Sequence, residues 1–247
     1  MEGIKEAIAF ITGLAVKAEK PEVIEIDGRK YCTRDLVRYG TENRADPIKA
    51  TTLTSLVDYL YQSGEELRER MIIQVVSETK VKLYSGLLKE RDREELFEVN
   101  AMLPAFVYGR EYDQEEFIVY MQSCFAQGAD RESVMLLASN IVDTQQAEYS
   151  DDGITQQAVI KTGITTKGKA LVPNPVSLIP YRTFMEVEQP ESKFIFRITE
   201  GRGGAPAFKL VEADGGAWKI KAMENVRRFL TDSLENVPGK ERLTILA

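Results

Sequence analysis

Alternation of apolar and polar residues dominates the stretch from residue 173 to residue 218. Three runs with period two, at 181–187, 193–199 and 208–210, predict strands that each bury one face. Turn-forming segments, Gln-Pro-Glu-Ser and Glu-Gly-Arg-Gly-Gly, separate these runs. Connections this short cannot carry a parallel crossover. The sequence therefore predicts an antiparallel meander whose strands follow one another in space as they do along the chain.

Helical periodicity, with apolar residues three and four apart, marks much of the remaining chain. It predicts helices at 4–18, 52–64, 89–102, 113–126 and 221–237. Shorter runs predict strands at 23–32 (a hairpin with an Asp-Gly turn), 71–76, 81–84, 158–160, 164–166 and 243–246. Residues 134–142 and 217–220 fit either strand or helix. The predicted fold class is α+β, with helices packed on one side of an antiparallel sheet.

A polar segment at 149–153 predicts a boundary between two parts of the chain. Residues 1–150 form a helix-rich part with two short β-hairpins, and residues 151–247 form the antiparallel meander packed against a C-terminal helix. Because 247 residues with 43% hydrophobic content can also bury one large core, a single continuous domain is the alternative. Trp218 is predicted to be buried where the sheet meets this helix.

The charge of the chain argues against a general nucleic-acid binder. Its 39 acidic residues exceed its 32 basic residues by seven, and the pI is about 5.0, whereas a nucleic-acid footprint needs a basic excess. The imbalance lies in residues 1–150, which carry 27 acidic and 18 basic residues, while residues 151–247 carry 12 and 14. This asymmetry is compatible with stacking of copies, or with an acidic helical surface beside a neutral sheet.

The sequence contains no histidine. This excludes the commonest general base, every Ser-His or Cys-His pair and the usual zinc ligands. The two cysteines, Cys32 and Cys124, have no CxxC spacing and suit a reducing cytosol, and Cys124 falls on an apolar stripe that predicts its burial. No clear cleavage site and no apolar span of about 20 residues is found, so a cytoplasmic location without membrane insertion is expected.

Carboxylate chemistry with Mg²⁺ or Mn²⁺ is the remaining route to catalysis. Two acidic clusters lie among glycines at predicted strand ends, Asp151 with Asp152 and Glu212 with Asp214. They predict, as one alternative, a metal-dependent hydrolase of nucleotides or phosphoesters. Acidic turns also arise for backbone reasons alone, because Asp and Gly favour turns. The preferred interpretation is therefore a protein without a cofactor and without enzymatic activity.

A second alternative is a binder of nucleotides or single-stranded nucleic acid that uses Arg182, Arg197 and Arg202. Aromatic and basic residues are mixed between 181 and 209, as in platforms on which bases stack. The parity of the central strand argues against stacking, because its aromatic and basic residues fall on opposite faces. The glycine-rich segment at 201–204 leads into a strand rather than a helix, so it is predicted to be a hairpin loop and not a phosphate loop.

Four motifs resemble one known family. They are DDGITQ (151–156), PYRTFMEVEQP (180–190), SKFIFR (192–197) and VEADGGAWK (211–219). The chain resembles the YfdQ-like family of uncharacterised phage and prophage proteins, closely over residues 150–235 and more loosely over 51–125. The resemblance implies a protein made in a bacterial cytoplasm from a phage or prophage gene. It supplies no catalytic residue and no ligand.

The preferred hypothesis is a non-enzymatic phage accessory protein that self-assembles into a homo-oligomer. The contact between copies is predicted at the first strand of the meander, with Tyr181, Arg182, Phe184, Glu186 and Glu188. Complementary charges on this strand would fix the register of a neighbouring copy. Neither a membrane nor nucleic acid is expected as a partner, and a nucleotide ligand is left as an alternative.

Overall fold

A computed structural model describes residues 2–19, 21–26, 28–32, 44–62, 70–88, 91–141, 156–161 and 167–247. The chain divides into a first unit, Met1–Arg44, and a second unit, Ala45–Ala247. Helices and mixed sheets confirm the predicted α+β class. The boundary predicted at 149–153 lies outside the described residues. Each of the two hydrophobic cores of the second unit combines residues from before and after that segment.

The first unit contains one helix and one hairpin, both predicted from the sequence. Helix α1 spans Glu2–Glu19, and strands β1 (Val23–Ile26) and β2 (Arg29–Cys32) pair antiparallel. Gly28 adopts a φ of 75° at the turn, a conformation that glycine reaches without strain. Every residue of this unit whose burial the structure describes is exposed. The unit therefore shows no core of its own within the described residues.

The second unit has the remaining elements. In chain order they are β3 (Ile48–Ala50), α2 (Leu53–Gln62), β4 (Met71–Ser77), β5 (Lys80–Tyr84), β6 (Glu95–Asn100), α3 (Gln114–Cys124), α4 (Ala129–Asn140), β7 (Gln156–Lys161), β8 (Lys167–Val172), β9 (Val176–Leu178), β10 (Ser192–Glu200), β11 (Pro206–Glu212), α5 (Ala217–Ser233) and β12 (Leu243–Leu246). Strands β7 and β8 pair with each other. The strand predicted at 164–166 lies outside the described residues. None of the helices in the described ranges is long and apolar enough to cross a membrane.

A five-stranded sheet with the order β12-β4-β5-β6-β3 forms the first core. Its three central strands are antiparallel, and the edge strands β12 and β3 pair parallel to their neighbours. Helices α2 and α5 contribute their apolar stripes to this core. The four α2 positions predicted to face inward, Leu53, Leu56, Val57 and Leu60, are all buried. Helix α5 begins at Ala217, so residues 217–220 are helical.

The helix predicted at 89–102 is wrong, because strand β6 lies there instead. Phe97 and Val99 are buried, while Glu98 between them is only half-buried. Lys82 on the neighbouring strand places its Nζ 2.8 Å from Glu95 and 3.3 Å from Glu98. The dense charge indicated a solvated helix face, but these charges pair across two antiparallel strands.

The predicted meander exists as a three-stranded antiparallel sheet with the order β9-β10-β11. Helices α3 and α4 join its inner face in the second core. The ring of Phe117 on α3 stacks on Phe196 at 5.7 Å and on Phe208 at 5.1 Å between centroids. Asp113 caps α3 as predicted, since its side chain accepts a hydrogen bond from the Glu116 amide. Cys124 is buried in this core, as predicted. The segment 134–142, for which the sequence fitted either strand or helix, is helical as far as residue 140.

The first strand of the meander was predicted at the wrong place. It is β9, and residues 181–187 form a loop that leads to β10. The side chain of Gln189 provides the partners that a strand would give: its Oε1 accepts from the Arg182 amide at 3.0 Å, and its Nε2 donates to the Phe184 carbonyl at 2.8 Å. Backbone groups satisfied in this way need no neighbouring strand. The alternation is also lost in the burial, because Phe184 is buried and Met185 is 59% exposed.

Candidate functional site

Arg182 lies where this loop, the meander and the first turn of α5 meet. Its side chain is only 6% exposed. The guanidinium donates to Glu212 Oε1 from Nη1 at 2.6 Å and to the hydroxyl of Ser192 from Nη2. The Trp218 ring covers it at 3.9 Å from Cζ to the ring centroid. A buried cation is therefore held by a carboxylate, a hydroxyl and an aromatic face.

The electrostatics around Arg182 are those of a desolvated cation. Burial lowers the pKa of Arg182, while the charge of Glu212 acts in the opposite direction. Burial also raises the pKa of Tyr108, whose ring centroid lies 5.9 Å from Cζ of Arg182. Guanidinium groups stay protonated in proteins, so the cation persists, and its neighbours replace the lost water at Nη1 and Nη2 but not at Nε, which has no hydrogen-bond partner among the described residues. The buried cation thus links the loop, the meander and the first turn of α5.

Asp214 closes the turn that precedes α5. Its Oδ1 accepts from the Gly216 amide at 3.1 Å. Gly215 and Gly216 have φ values of 63° and 84°, which only glycine adopts readily. Burial alone would raise the pKa of Asp214, but hydrogen bonds from Ser192 and Gly216 and the charge of Arg182 lower it. The carboxylate therefore acts as a turn and helix cap, and it is stabilised in its charged form.

The structure brings two of the four predicted metal ligands to one place, with a cation between them. Glu212 is paired with Arg182, whose charge also acts on Asp214. A divalent ion there would have to displace the guanidinium or share its carboxylate. In the described part of the chain, no group of three or more acidic or thiol side chains could hold a metal. Asp151 and Asp152 lie outside the described residues.

The three arginines predicted to bind a nucleotide do not form one cluster in the described structure. Arg182 lies over the inward-facing Phe194 ring of β10. Arg197 stands on the opposite face of β10, beside Lys209 of β11. The side chain of Arg202 is not among those described. The two described arginines therefore face different sides of the sheet.

The five residues predicted to contact another copy are mostly used within the second unit. Phe184 is fully buried in the core of the five-stranded sheet, beside α2 and α5. Glu186 Oε1 accepts from the Leu53 amide at 2.7 Å, at the start of α2. Tyr181 is half-buried, and the exposed Glu188 lies 3.7 Å from Arg228. The loop thus packs against its own chain, and Glu188 has the most accessible of these side chains.

Glu186 provides a first prediction, on helix capping. Glu186→Ala should lower the free energy of unfolding by about 1 kcal/mol, because the first amides of α2 lose an anionic acceptor at the positive end of the helix dipole. Thr52 still caps the Ser55 amide, which limits the loss. Glu188→Ala is the matched control, since an exposed ion pair contributes little. Urea unfolding of both variants measures the difference, and equal midpoints would show that Glu186 does not cap α2.

An open cleft lies beside Asp214 and the first turn of α5. Its volume is about 390 Å³, and its lining residues are Ser177, Glu191, Ser192, Lys193, Asp214, Ala217, Trp218 and Lys221. Two carboxylates and two lysines balance its charge. The cleft therefore has no excess charge of either sign with which to select a phosphate or a cation.

A second prediction concerns pH and metal at Asp214. Because its pKa is lower in the folded than in the unfolded state, its charge stabilises the fold above the unfolded value near 4, and this contribution is lost as the pH falls through the folded value. The wild type should therefore exceed Asp214→Asn in stability by more at about pH 6 than at about pH 3. Urea unfolding at both pH values measures this.

The same variant tests the metal alternative. Mn²⁺ should leave the melting temperature of the wild type and of Asp214→Asn unchanged, because Glu212 is already paired with Arg182, whose charge also acts on Asp214. A melting temperature raised by Mn²⁺ in the wild type alone would instead establish a metal site, since binding to the native state stabilises it.

Exposed large apolar side chains are densest on the first unit, where the sequence had predicted a helix and a hairpin but no contact. Among described residues, nine large apolar side chains of this 44-residue unit are exposed, against thirteen in the 203 residues that follow. They are Ile4, Ile8, Phe10, Ile11, Leu14, Val23, Ile24, Ile26 and Tyr31, with exposed fractions between 45% and 68%. In the sequence, the helical spacing of Ile4, Ile8 and Ile11 indicates an apolar side of α1.

Comparison with known proteins finds no match: no protein-family model, no curated protein and no solved structure corresponds to this chain. Membership of the YfdQ-like family stays a prediction from the four motifs.

Proposed function

We propose that this protein is a non-enzymatic accessory protein of a phage or prophage, made in the bacterial cytoplasm, that self-assembles into a homo-oligomer through its first unit. The carrying observation is the exposed apolar side chains of α1 and of the β1–β2 hairpin, which no described residue of the first unit covers. Exposed apolar surface of this kind is typical of protein interaction sites. The motif resemblance supports the phage origin.

The magnitudes favour assembly over a free first unit. Five side chains of α1 expose half or more of their surface, and burying that surface contributes on the order of 5 kcal/mol per copy. Association costs about 4 to 15 kcal/mol in lost translational and rotational freedom. Two copies together gain about 10 kcal/mol, within the range of one association cost, and each further copy adds both terms again. The exposed side chains of the hairpin add to the gain, so burial of the first unit favours assembly without setting the number of copies.

The polar chemistry of the second unit supports a structural role. The buried cation Arg182 is neutralised by Glu212, and Asp214 caps a helix, so the best-organised polar cluster is occupied by its own contacts. No histidine is present to act as a base. Arg182, Glu186, Glu212 and Asp214 make these contacts within the second unit, which supports the first unit as the surface for a partner.

Light scattering coupled to size-exclusion chromatography tests the proposal. The wild-type chain should elute as a particle of several times its 27.8 kDa mass, and dilution should lower that mass. A particle of 27.8 kDa at all concentrations would contradict self-assembly.

A further inference from the structure

The apolar residues of α1 form one continuous stripe. Ile4, Ile8 and Ile11 follow the spacing i, i+4, i+7 on one side of the helix, and Phe10 and Leu14 widen that side. All five are more than half exposed. The opposite side carries Lys5, Glu6 and Thr12, whose hydroxyl donates to the Ile8 carbonyl at 2.8 Å. Helix α1 is therefore amphipathic, and its apolar side has no partner among the described residues of the first unit.

The shape of the stripe indicates how many helices cover it. At 100° per residue, its members span an arc of about 160°, wider than the narrow seam of a two-stranded coiled coil. The alternating four- and three-residue steps from Ile4 to Ile8 to Ile11 place isoleucine at both core positions of a heptad. Isoleucine at both positions favours three- and four-stranded assemblies over dimers. The stripe thus fits a bundle of several helices.

The charge on α1 identifies the occupant as protein rather than a lipid surface. Helices that lie on membranes carry lysine and arginine on their polar side, which anionic headgroups attract. Helix α1 carries three glutamates against two lysines. The first unit as a whole has eight acidic and eight basic residues, so copies of it meet without net repulsion, although the complete chain has a net charge of −7.

We propose that the apolar stripe of α1 packs against the α1 helices of at least two other copies of this chain, forming a helix bundle at the centre of the homo-oligomer. This inference rests on the proposed self-assembly and names the surface that carries it. Each copy buries Ile4, Ile8 and Ile11 in the bundle, and the polar side with Lys5 and Glu6 stays in water. The partner is thus a further copy of the same helix.

Substitutions within α1 of the full-length chain test this surface. Ile8→Asp and Ile11→Asp each place a carboxylate in the bundle core, and each should reduce the particle to 27.8 kDa in sedimentation velocity. Ala9→Asp is the matched control: it adds the same charge one residue away, on the exposed polar side, and should leave the particle mass unchanged. Thermal unfolding followed by Trp218 fluorescence should be alike for all variants, because Trp218 belongs to the second unit.

The outcomes separate this inference from the proposed function. An oligomeric wild type whose mass survives both isoleucine substitutions would overturn the α1 bundle and leave self-assembly standing through another surface. A wild type of 27.8 kDa would overturn both. Co-sedimentation with vesicles of phosphatidylcholine and phosphatidylserine tests whether the stripe binds a lipid surface instead. If the wild type is monomeric and binds these vesicles, and Ile8→Asp abolishes the binding, the stripe is a membrane-binding surface.

Discussion

The variant Arg182→Glu should leave the second unit unfolded, or destabilise it by more than about 4 kcal/mol. The substitution removes the cation that pairs with Glu212 and buries a new carboxylate next to it. Like charges at this distance repel strongly when water is excluded. The aromatic face of Trp218 would also lose the guanidinium that it covers. Circular dichroism and urea unfolding measure the loss.

Arg227→Glu is the matched control for this prediction. Arg227 lies on the exposed side of α5, and its substitution by glutamate changes the charge by the same amount as Arg182→Glu. The control should cost less than about 1 kcal/mol, because exposed substitutions away from buried contacts have small effects. An Arg182→Glu protein as stable as Arg227→Glu would show that the guanidinium is not buried in solution. The same result would return Arg182 to the surface, where the sequence had placed it as an interface residue.

Trp218→Ala should lower the free energy of unfolding by about 3 to 5 kcal/mol, as for other large aromatic residues removed from a core. Trp218 is buried, as predicted, with 8% of its surface exposed, and its ring covers Arg182. Its indole Nε1 is buried without a hydrogen-bond partner. Trp218→Phe therefore gives up no hydrogen bond and retains an aromatic face, so it should cost about half as much or less.

The pair of Trp218 variants separates packing from hydrogen bonding. Equal losses for phenylalanine and alanine would mean that the indole nitrogen has a partner that stabilises the fold. No loss for either would place Trp218 on the surface. Lys219→Ala, at the exposed neighbouring position, controls for a general effect on the first turn of α5 and should be close to neutral.

Alternation predicted a strand correctly where ladder partners were available on both sides. The run at 193–199 became the central strand β10, which pairs with β9 and β11. The equally regular run at 181–187 became a loop, because Gln189 satisfies its backbone and Thr183 donates to the carbonyl of Glu78. In this loop the period-two pattern predicts neither the backbone partners nor the buried side, since Phe184 is buried and Met185 is 59% exposed.

Charge density misled the prediction for β6 for a related reason. The acidic residues Glu95 and Glu98 find Lys82 on an adjacent strand, a long-range pairing that a local pattern does not contain. Local signals were sufficient for α1, the β1–β2 hairpin and the Asp113 cap, because each is determined by neighbouring residues.

The sequence identified several residues of the candidate site, but it did not predict their roles. The sequence predicted Arg182 as an interface or nucleotide-binding residue and Glu212 with Asp214 as alternative metal ligands, and the structure places the three in one cluster. Ser192 and Trp218, which complete it, carry no sequence signal of such a contact. The charges of 181–188 predicted a contact surface on the meander. The spacing of Ile4, Ile8 and Ile11 predicts an apolar stripe on α1, but the sequence does not show that this stripe is exposed.

Amide hydrogen exchange of α1 in the full-length protein tests the central claim most directly. A helix of this length owes most of its stability to packing of its apolar face, so burial between copies protects its amides and exposure leaves them unprotected. Self-assembly through α1 predicts slow exchange over residues 4–14 in the wild type and fast exchange in Ile8→Asp, with the second unit protected equally in both. Fast exchange over residues 4–14 in the wild type at every protein concentration would contradict it.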